Sequence, residues 1–231
     1  TNIWNAVRVN VNGSENKAQP KVVGGENHFA VLKSDGTVWT YGYNGNGQLG
    51  LGDTKNRTEP TRVKAEITLE DGTREEELIT DAIDVAASYN HTLILRANGT
   101  VWSYGLNSSY QLGNGSTVSS DRPVMVKFPE GTIIKQIAVG NTHNLALDIN
   151  GNVWGWGVNS NNSLGRNASK PVSLGISNVK KIAANNDQSM ILTNDGYVYV
   201  WGLNENGELG TGTYNKVKEP TLLNYVSDVI D

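Results

Sequence analysis

The stretch Asp35-Gly36-Thr37-Val38-Trp39-Thr40-Tyr41-Gly42-Tyr43-Asn44-Gly45-Asn46-Gly47-Gln48-Leu49-Gly50 decides the fold, because its pattern returns three more times. Its opening Asx-Gly pair recurs as Asn98-Gly99, Asn150-Gly151 and Asp195-Gly196. Such a pair between two apolar runs is a strong hairpin signal, since a type I′ turn needs positive φ at both central residues. Before each turn runs a short apolar strand: Phe29 to Leu32, Thr92 to Leu95, Asn144 to Leu147 and Ser189 to Leu192. These runs are too short for helices and read as buried inner strands. After each turn comes an aromatic strand closed by glycine, Val38 to Gly42, Val101 to Gly105, Val153 to Gly157 and Val198 to Gly202. Its rings alternate on one face, so each strand offers two of them to a neighbouring sheet.

A polar, glycine-rich loop ending in Leu-Gly follows each aromatic strand, at 44–50, 107–113, 159–165 and 204–210. Pro60, Pro123, Pro171 and Pro220 come next and are expected to open a further short strand, such as Thr61 to Val63. With the segments around Val22, Val85, Ile137 and Ile182, each unit supplies four strands. Four-stranded antiparallel sheets repeated head to tail describe the blades of an all-β propeller.

The expected units are about 21–63, 82–126, 133–174 and 178–223, after an N-terminal strand or linker at 1–20. An insertion at about 64–80, with its own Asp71-Gly72 turn, is expected to protrude as a hairpin. Residues 226–231 can be laid over 176–181, so 224–231 start a further repeat or form a strand that closes the ring. The chain begins at Thr1, which reads as processing or as excision from something longer.

The pattern carried by His28, Gly36, Val38, Trp39, Gly42, Asn44, Gln48, Leu49, Gly50 and Gly52, and again in the second repeat, resembles the repeat of the regulator of chromosome condensation family. The resemblance, to a bacterial-type member or fragment, covers about Lys21 to Leu223 and implies part of a seven-bladed propeller. Two departures stand out. Gln188 replaces the histidine of the other repeats, and the third loop runs six residues from Gly165 to Pro171 where the others take ten.

Composition narrows function. There is no cysteine, which excludes disulfide scaffolds, thiolate nucleophiles and Cys-ligated zinc, and fits the cytosol or bacterial export equally. A net charge of -4 from 19 basic and 23 acidic residues gives no field that would favour nucleic acid, and no apolar run reaches membrane-span length. No carboxylate pair is fixed by spacing, so no catalytic residue is assigned, and no cofactor or metal ligand set is read. His28, His91 and His143 share one repeat position and read as structural hydrogen-bond formers.

Aromatics that break the repeat are better partner contacts than those that keep it. Tyr43 stands where the other copies have Leu106, Val158 and Leu203; Tyr110 replaces Gly47 and Gly207; Tyr214 lies in the last long loop. The insertion adds an acidic group, Glu75, Glu76 and Glu77 among them, as a solvated arm or as a lever for a basic partner. Removal of 66–79 would on that reading spare stability.

The expectation is a non-catalytic protein-protein interaction scaffold within a larger bacterial surface or secreted protein, with no nucleic acid partner and no membrane insertion. Open blade edges add self-association. Two other roles fit the architecture: an exchange factor-like regulator of a small GTPase, implied by the resemblance, and a proteinaceous inhibitor of a secreted hydrolase.

Overall fold

The computed structural model of the chain describes residues 18–68, 74–224, 226 and 229. Four four-stranded antiparallel sheets and one two-stranded sheet account for the strands among them. The first blade contains β1 (Lys21–Gly24), β2 (His28–Leu32), β3 (Val38–Gly42) and β4 (Arg57–Arg62). A hairpin of β5 (Lys64–Thr68) and β6 (Arg74–Leu78) intervenes. The second blade has β7 (Ala82–Ser88), β8 (His91–Arg96), β9 (Val101–Gly105) and β10 (Ser120–Met125). The third has β11 (Ile134–Val139), β12 (His143–Asp148), β13 (Val153–Gly157) and β14 (Ala168–Ser173). The fourth has β15 (Val179–Asn185), β16 (Gln188–Thr193), β17 (Val198–Gly202) and β18 (Val217–Leu222). The chain is all-β, built of propeller blades, as the repeat requires.

Strand order within each sheet follows the sequence, and the first strands β1, β7, β11 and β15 touch in succession. The first strands therefore line the axis and the fourth strands face outward. The apolar strands before the Asx-Gly turns lie second, one place out from where an innermost strand would be. β12 is buried along its whole length, whereas no residue of the outer β4 is buried.

The four prolines do not open their strands. Each fourth strand begins three residues earlier, at Arg57, Ser120, Ala168 or Val217. Pro60, Pro123, Pro171 and Pro220 all fall where the register against the third strand slips, as between Thr40↔Thr61 and Gly42↔Arg57. A residue without an N–H is tolerated at a bulge on an outer strand because no ladder bond is asked of it there.

The core lies between the blades. Leu32, Val38, Val63, Val85, Ile94 and Tyr104 pack the first blade on the second, and Leu93, Leu95, Ile134, Ile137 and Trp156 pack the second on the third. Leu145, Leu147, Val179, Ile191 and Trp201 pack the third on the fourth. Beyond the fourth blade, Val229 joins Leu192, Val198 and Val200. Its N–H points to Gly196 O at 3.5 Å, the place that Val179 N–H takes on Gly151 O at 3.1 Å.

The inserted hairpin is paired in register from Lys64↔Leu78 to Thr68↔Arg74, while its Asp71-Gly72 turn lies outside the described residues. It is no free arm. Ala65 and Ile79 are buried in the joint between the first two blades, and Arg96 and Arg122 of the second blade reach Glu77 and Glu76. Removal of 66–79 takes Ile79 out of the core, so it cannot spare stability. Ile79→Ala is expected to cost about 3 kcal/mol in urea unfolding; a cost near zero would mean that the joint does not need the hairpin.

Candidate functional site

Antiparallel blades stacked about one axis have two faces. One carries the tight turns between first and second strands (25–27, 89–90, 140–142, 186–187) and the long loops between third and fourth strands. This is the loop face. The Asx-Gly turns, the hairpin and the crossovers between blades occupy the opposite turn face.

Each long loop is wound around one asparagine, buried in the first, second and fourth loops and half-buried in the third. Asn44 donates through Nδ2 to Asp53 O at 2.8 Å and accepts Leu49 N–H at 2.9 Å. Asn107 repeats this with Ser116 O and Leu112, and Asn204 with Thr213 O and Leu209. In the shorter third loop Asn159 keeps the acceptor half, taking the N–H groups of Leu164 and Gly165. In the first two loops the closing Leu-Gly lies under the next blade. A Cβ on Gly50 would meet the Tyr104 ring at 2.8 Å, and one on Gly113 would meet Trp156 at 2.8 Å. Each polar loop is thus a platform pinned at its centre, and the first two are also pressed from one side.

On this platform the irregular tyrosines are displayed. Tyr43 is 43% and Tyr214 73% exposed, which is high for so large an apolar ring. Tyr110 is half-buried and held at φ +60°, where its counterparts Gly47 and Gly207 also have positive φ. Tyr89, 45% exposed, is not singled out by the sequence pattern because it lies in a short turn and not in a long loop. Its φ is +38°, an unfavourable region for a bulky side chain. A signal exists all the same: the same turn position carries Glu26, Asn141 and Asn186 in the other blades. Tyr43 and Tyr89 belong to one neighbourhood, since Tyr43 N–H bonds Asn27 O and Glu26 N–H bonds Tyr89 O.

The histidines join the blades. His28 Nε2 lies 2.9 Å from Thr92 Oγ1, which donates to Gln48 O at 3.1 Å. His91 Nε2 lies 2.8 Å from Asn144 Oδ1, and Asn144 Nδ2 donates to Gln111 O at 2.9 Å. His143 Nε2 lies 3.0 Å from Ser189 Oγ, which donates to Ser163 O at 2.9 Å. An amide oxygen can only accept, so His91 must carry its proton on Nε2. The hydroxyls of Thr92 and Ser189 spend their protons on carbonyls, which fixes the same tautomer in His28 and His143. Burial drives all three below the ordinary imidazole value, to about 4 for His28 and His91 and about 3 for His143. Proximity of His91 adds to the effect on both neighbours. Each ring is therefore neutral and committed to a joint. No group of three or more His, Asp or Glu side chains that would suit a metal is assembled among the described residues.

Relatives share this architecture. A profile of the RCC1-like domain matches residues 4–230. The chain belongs to the RCC1-like domain family. It is 32% identical over 159 residues to the ultraviolet-B receptor UVR8 of Arabidopsis thaliana, covering 68% of this chain and 33% of that protein. It is 34% identical over 160 residues to the probable E3 ubiquitin-protein ligase HERC6 of Homo sapiens, covering 65% and 15%. Among solved structures, human WBSCR16 superposes with a TM-score of 0.76 at 24% identity, covering 89% of this chain and 53% of that one. Saccharomyces cerevisiae Prp20p, described with its binding properties to Gsp1p and histones, superposes with a TM-score of 0.69 at 25% identity, covering 87% and 49%. The chain thus spans about half the length of these solved relatives and less of the curated ones.

Within the RCC1-like repeat, Phe29 is a further departure. It holds the position of Thr92, Asn144 and Ser189, is exposed, and stacks on Tyr41 with ring centroids 5.4 Å apart. Glu75, Glu76 and Glu77 lie on the turn side and are not brought together with the tyrosines. Glu76 pairs with Lys64 at 2.9 Å and Arg122 at 3.1 Å, and Glu77 pairs with Arg96 at 3.4 Å. Ionic contacts within the hairpin and to the second blade already engage two of the three.

Proposed function

We propose that this RCC1-like chain is a non-catalytic protein-docking module whose loop face, with Tyr43, Tyr89 and Tyr214 as contact aromatics and Tyr110 shaping its loop, receives a protein partner. One observation carries the reading: large rings are displayed on rigid loops at positions where the other repeats have none. Exposed aromatics with few rotatable bonds are effective contact groups because little entropy is lost on ordering them. Placement at a bacterial surface, or in a secreted protein, belongs to the same proposal; the Asn-rich, cysteine-free composition is compatible with it. A triple variant, Tyr43→Ser, Tyr89→Asn and Tyr214→Ser, should keep its melting temperature and lose a protein that the unaltered chain retains from extracts of its source. Equal retention by both would remove the loop face from consideration.

A second reading, regulation of a small GTPase in the manner of an exchange factor, is favoured by the likeness to Prp20p, whose binding to Gsp1p is described. Its mark would be faster release of labelled guanine nucleotide from the retained protein, and a retained protein that binds no nucleotide would exclude it.

A further inference from the structure

On the turn face, away from the tyrosines, each of the last three first strands begins with a β-bulge. The register slips by one residue at Ile83 in β7, at Lys135 in β11 and at Lys180 in β15. A bulge re-aims the extra side chain out of the ladder. The three bulges occur at one ring position in consecutive blades. They border a cavity of about 300 Å³ whose apolar lining includes Ile83, Ala97, Ile133 and Leu147 and whose cationic lining is Lys135, Lys180 and Lys181. Among the described residues no carboxylate lines it.

Three carboxylates nearby in sequence and register are spoken for. Asp84 pairs with Lys21 at 2.7 Å, and Asp148 accepts from Asn152 and the Trp154 indole. Asp195 accepts from Asn178. Lys135 and Lys180 make no hydrogen bond or ion pair among the described residues, although Lys135 is half-buried. Gln136, between the two bulges, is locked to the fourth blade by a reciprocal pair of 3.0 Å bonds with Ile182 N–H and O. The two ammonium groups are therefore carried on fixed backbone beside an apolar hollow, in a protein of net charge -4.

We infer that this cavity is a second docking site, taking an acidic peptide segment that places an apolar side chain in the hollow and flanking carboxylates on Lys135 and Lys180. The apolar lining argues for peptide over phosphate. The backbone amides at this edge are also consumed, Ile134 N–H by Gly99 O and Val179 N–H by Gly151 O, so no amide cradle awaits a phosphate. The site is independent of the loop-face reading and stands or falls apart from it.

The test uses the whole chain and a fluorescein-labelled peptide, Gly-Glu-Glu-Ile-Leu-Glu-Glu-Gly, with its Gln-for-Glu counterpart, in fluorescence anisotropy. The acidic peptide should bind at least about tenfold more tightly than the Gln peptide, and several-fold more weakly when salt is raised from about 50 to about 300 mM. The double variant Lys135→Glu and Lys180→Glu should lose about tenfold or more in affinity. Lys180→Glu alone changes an exposed residue that the fold does not use, and should lose several-fold with an unchanged melting curve. Ile83→Ser should weaken binding without changing its salt dependence. Equal binding by the unaltered chain and the Lys180→Glu variant would overturn the proposal. So would tighter binding of a fluorescein-labelled oligouridylate with the same lysine dependence, which would make the site one for nucleic acid.

Discussion

Acidification from pH 7 to 4 should remove on the order of 10 kcal/mol of folding free energy, comparable to the entire stability of an ordinary domain. The decline should begin near pH 6.5. An unfolded histidine takes its proton there, whereas buried His28 and His91 resist to about 4 and His143 to about 3. Between those values the unfolded chain binds more protons than the folded one, so every unit of acid costs up to about 1.4 kcal/mol per ring. Stability is fully present above 6.5 and lost as pH falls. The alternative site for the incoming proton, Nδ1, is buried without a partner in all three rings, so protonation places a charge where nothing receives it. Asp148 does not share this window. Burial would raise its value, but donors from Trp154, Asn152 and Asn150 outweigh burial and hold it below the usual carboxylate range. Urea midpoints at successive pH values measure the slope. His91→Gln installs the residue that the fourth blade already carries at this position as Gln188. That variant should be less stable at pH 7 but shallower in pH dependence by about one ring's share, roughly 3 kcal/mol by pH 4. An unchanged slope would mean that the joints are not what acid attacks.

The repeat made the blades legible because each strand-forming run is bounded by residues with one structural use. In each Asx-Gly pair only the glycine takes a positive φ, from +75° at Gly36 to +84° at Gly151, so the hairpins are not the type I′ turns that the pair suggests: Gly36 N–H bonds Lys33 O and Lys33 N–H bonds Thr37 O, a turn closed by one left-handed glycine. The glycine ending each aromatic strand is another fixed point: at Gly157 φ is +110° and a Cβ would lie 2.2 Å from Thr142 O. What the sequence could not disclose was which neighbour each side chain meets. The histidines read as structural, yet their acceptors, Thr92, Asn144 and Ser189, belong to the following repeat and lie 46 to 64 residues away. No local pattern encodes such a pairing. Likewise the bulges at Lys135 and Lys180 arise from the fit between a strand and its partner, and neither lysine breaks any rule of composition. Tyr89 escapes for a different reason. Contact aromatics are expected on long loops, while this strained position lies in a two-residue turn.

Phe29 bears on how blades recognise one another. A blade docks on its predecessor by setting a polar group between a histidine and a loop carbonyl; at the first two joints its aromatic ring also lies over the loop glycine, Gly50 or Gly113. The fourth blade offers Gln188 and Glu208 at the places of the histidine and the carbonyl residue, and the first blade answers with Phe29, which has no donor. A second copy added head to tail would leave the Glu208 carbonyl facing a phenyl ring. Self-association through these two faces would therefore lack the polar link that every internal joint has, and must rest on apolar contact alone.

The ring that covers the loop glycine is where a single truncation should do most harm. Trp156 is fully buried, its Nε1–H donates to Gln111 O at 2.9 Å, and it meets Phe128 edge to face at 5.6 Å. Trp156→Ala empties the largest side chain from the joint between the second and third blades. It also removes a hydrogen bond that helps seat the second loop. The expected cost is about 5 kcal/mol, the upper end for an aromatic truncation, because Gly113 and the pinned loop leave little freedom to collapse into the gap. Trp154, two residues earlier on the same face of β13, is the control. It is half-buried and donates to Asp148 on its own blade at 3.0 Å. Trp154→Ala should cost only about 2 kcal/mol. The sequence treats these two rings alike, as a pair offered to a neighbouring sheet. If urea unfolding gives equal losses, both rings hold the joint and the division of labour between them is wrong; if Trp156→Ala alone approaches the limit of folding, the ring over the glycine is what binds one blade to the next.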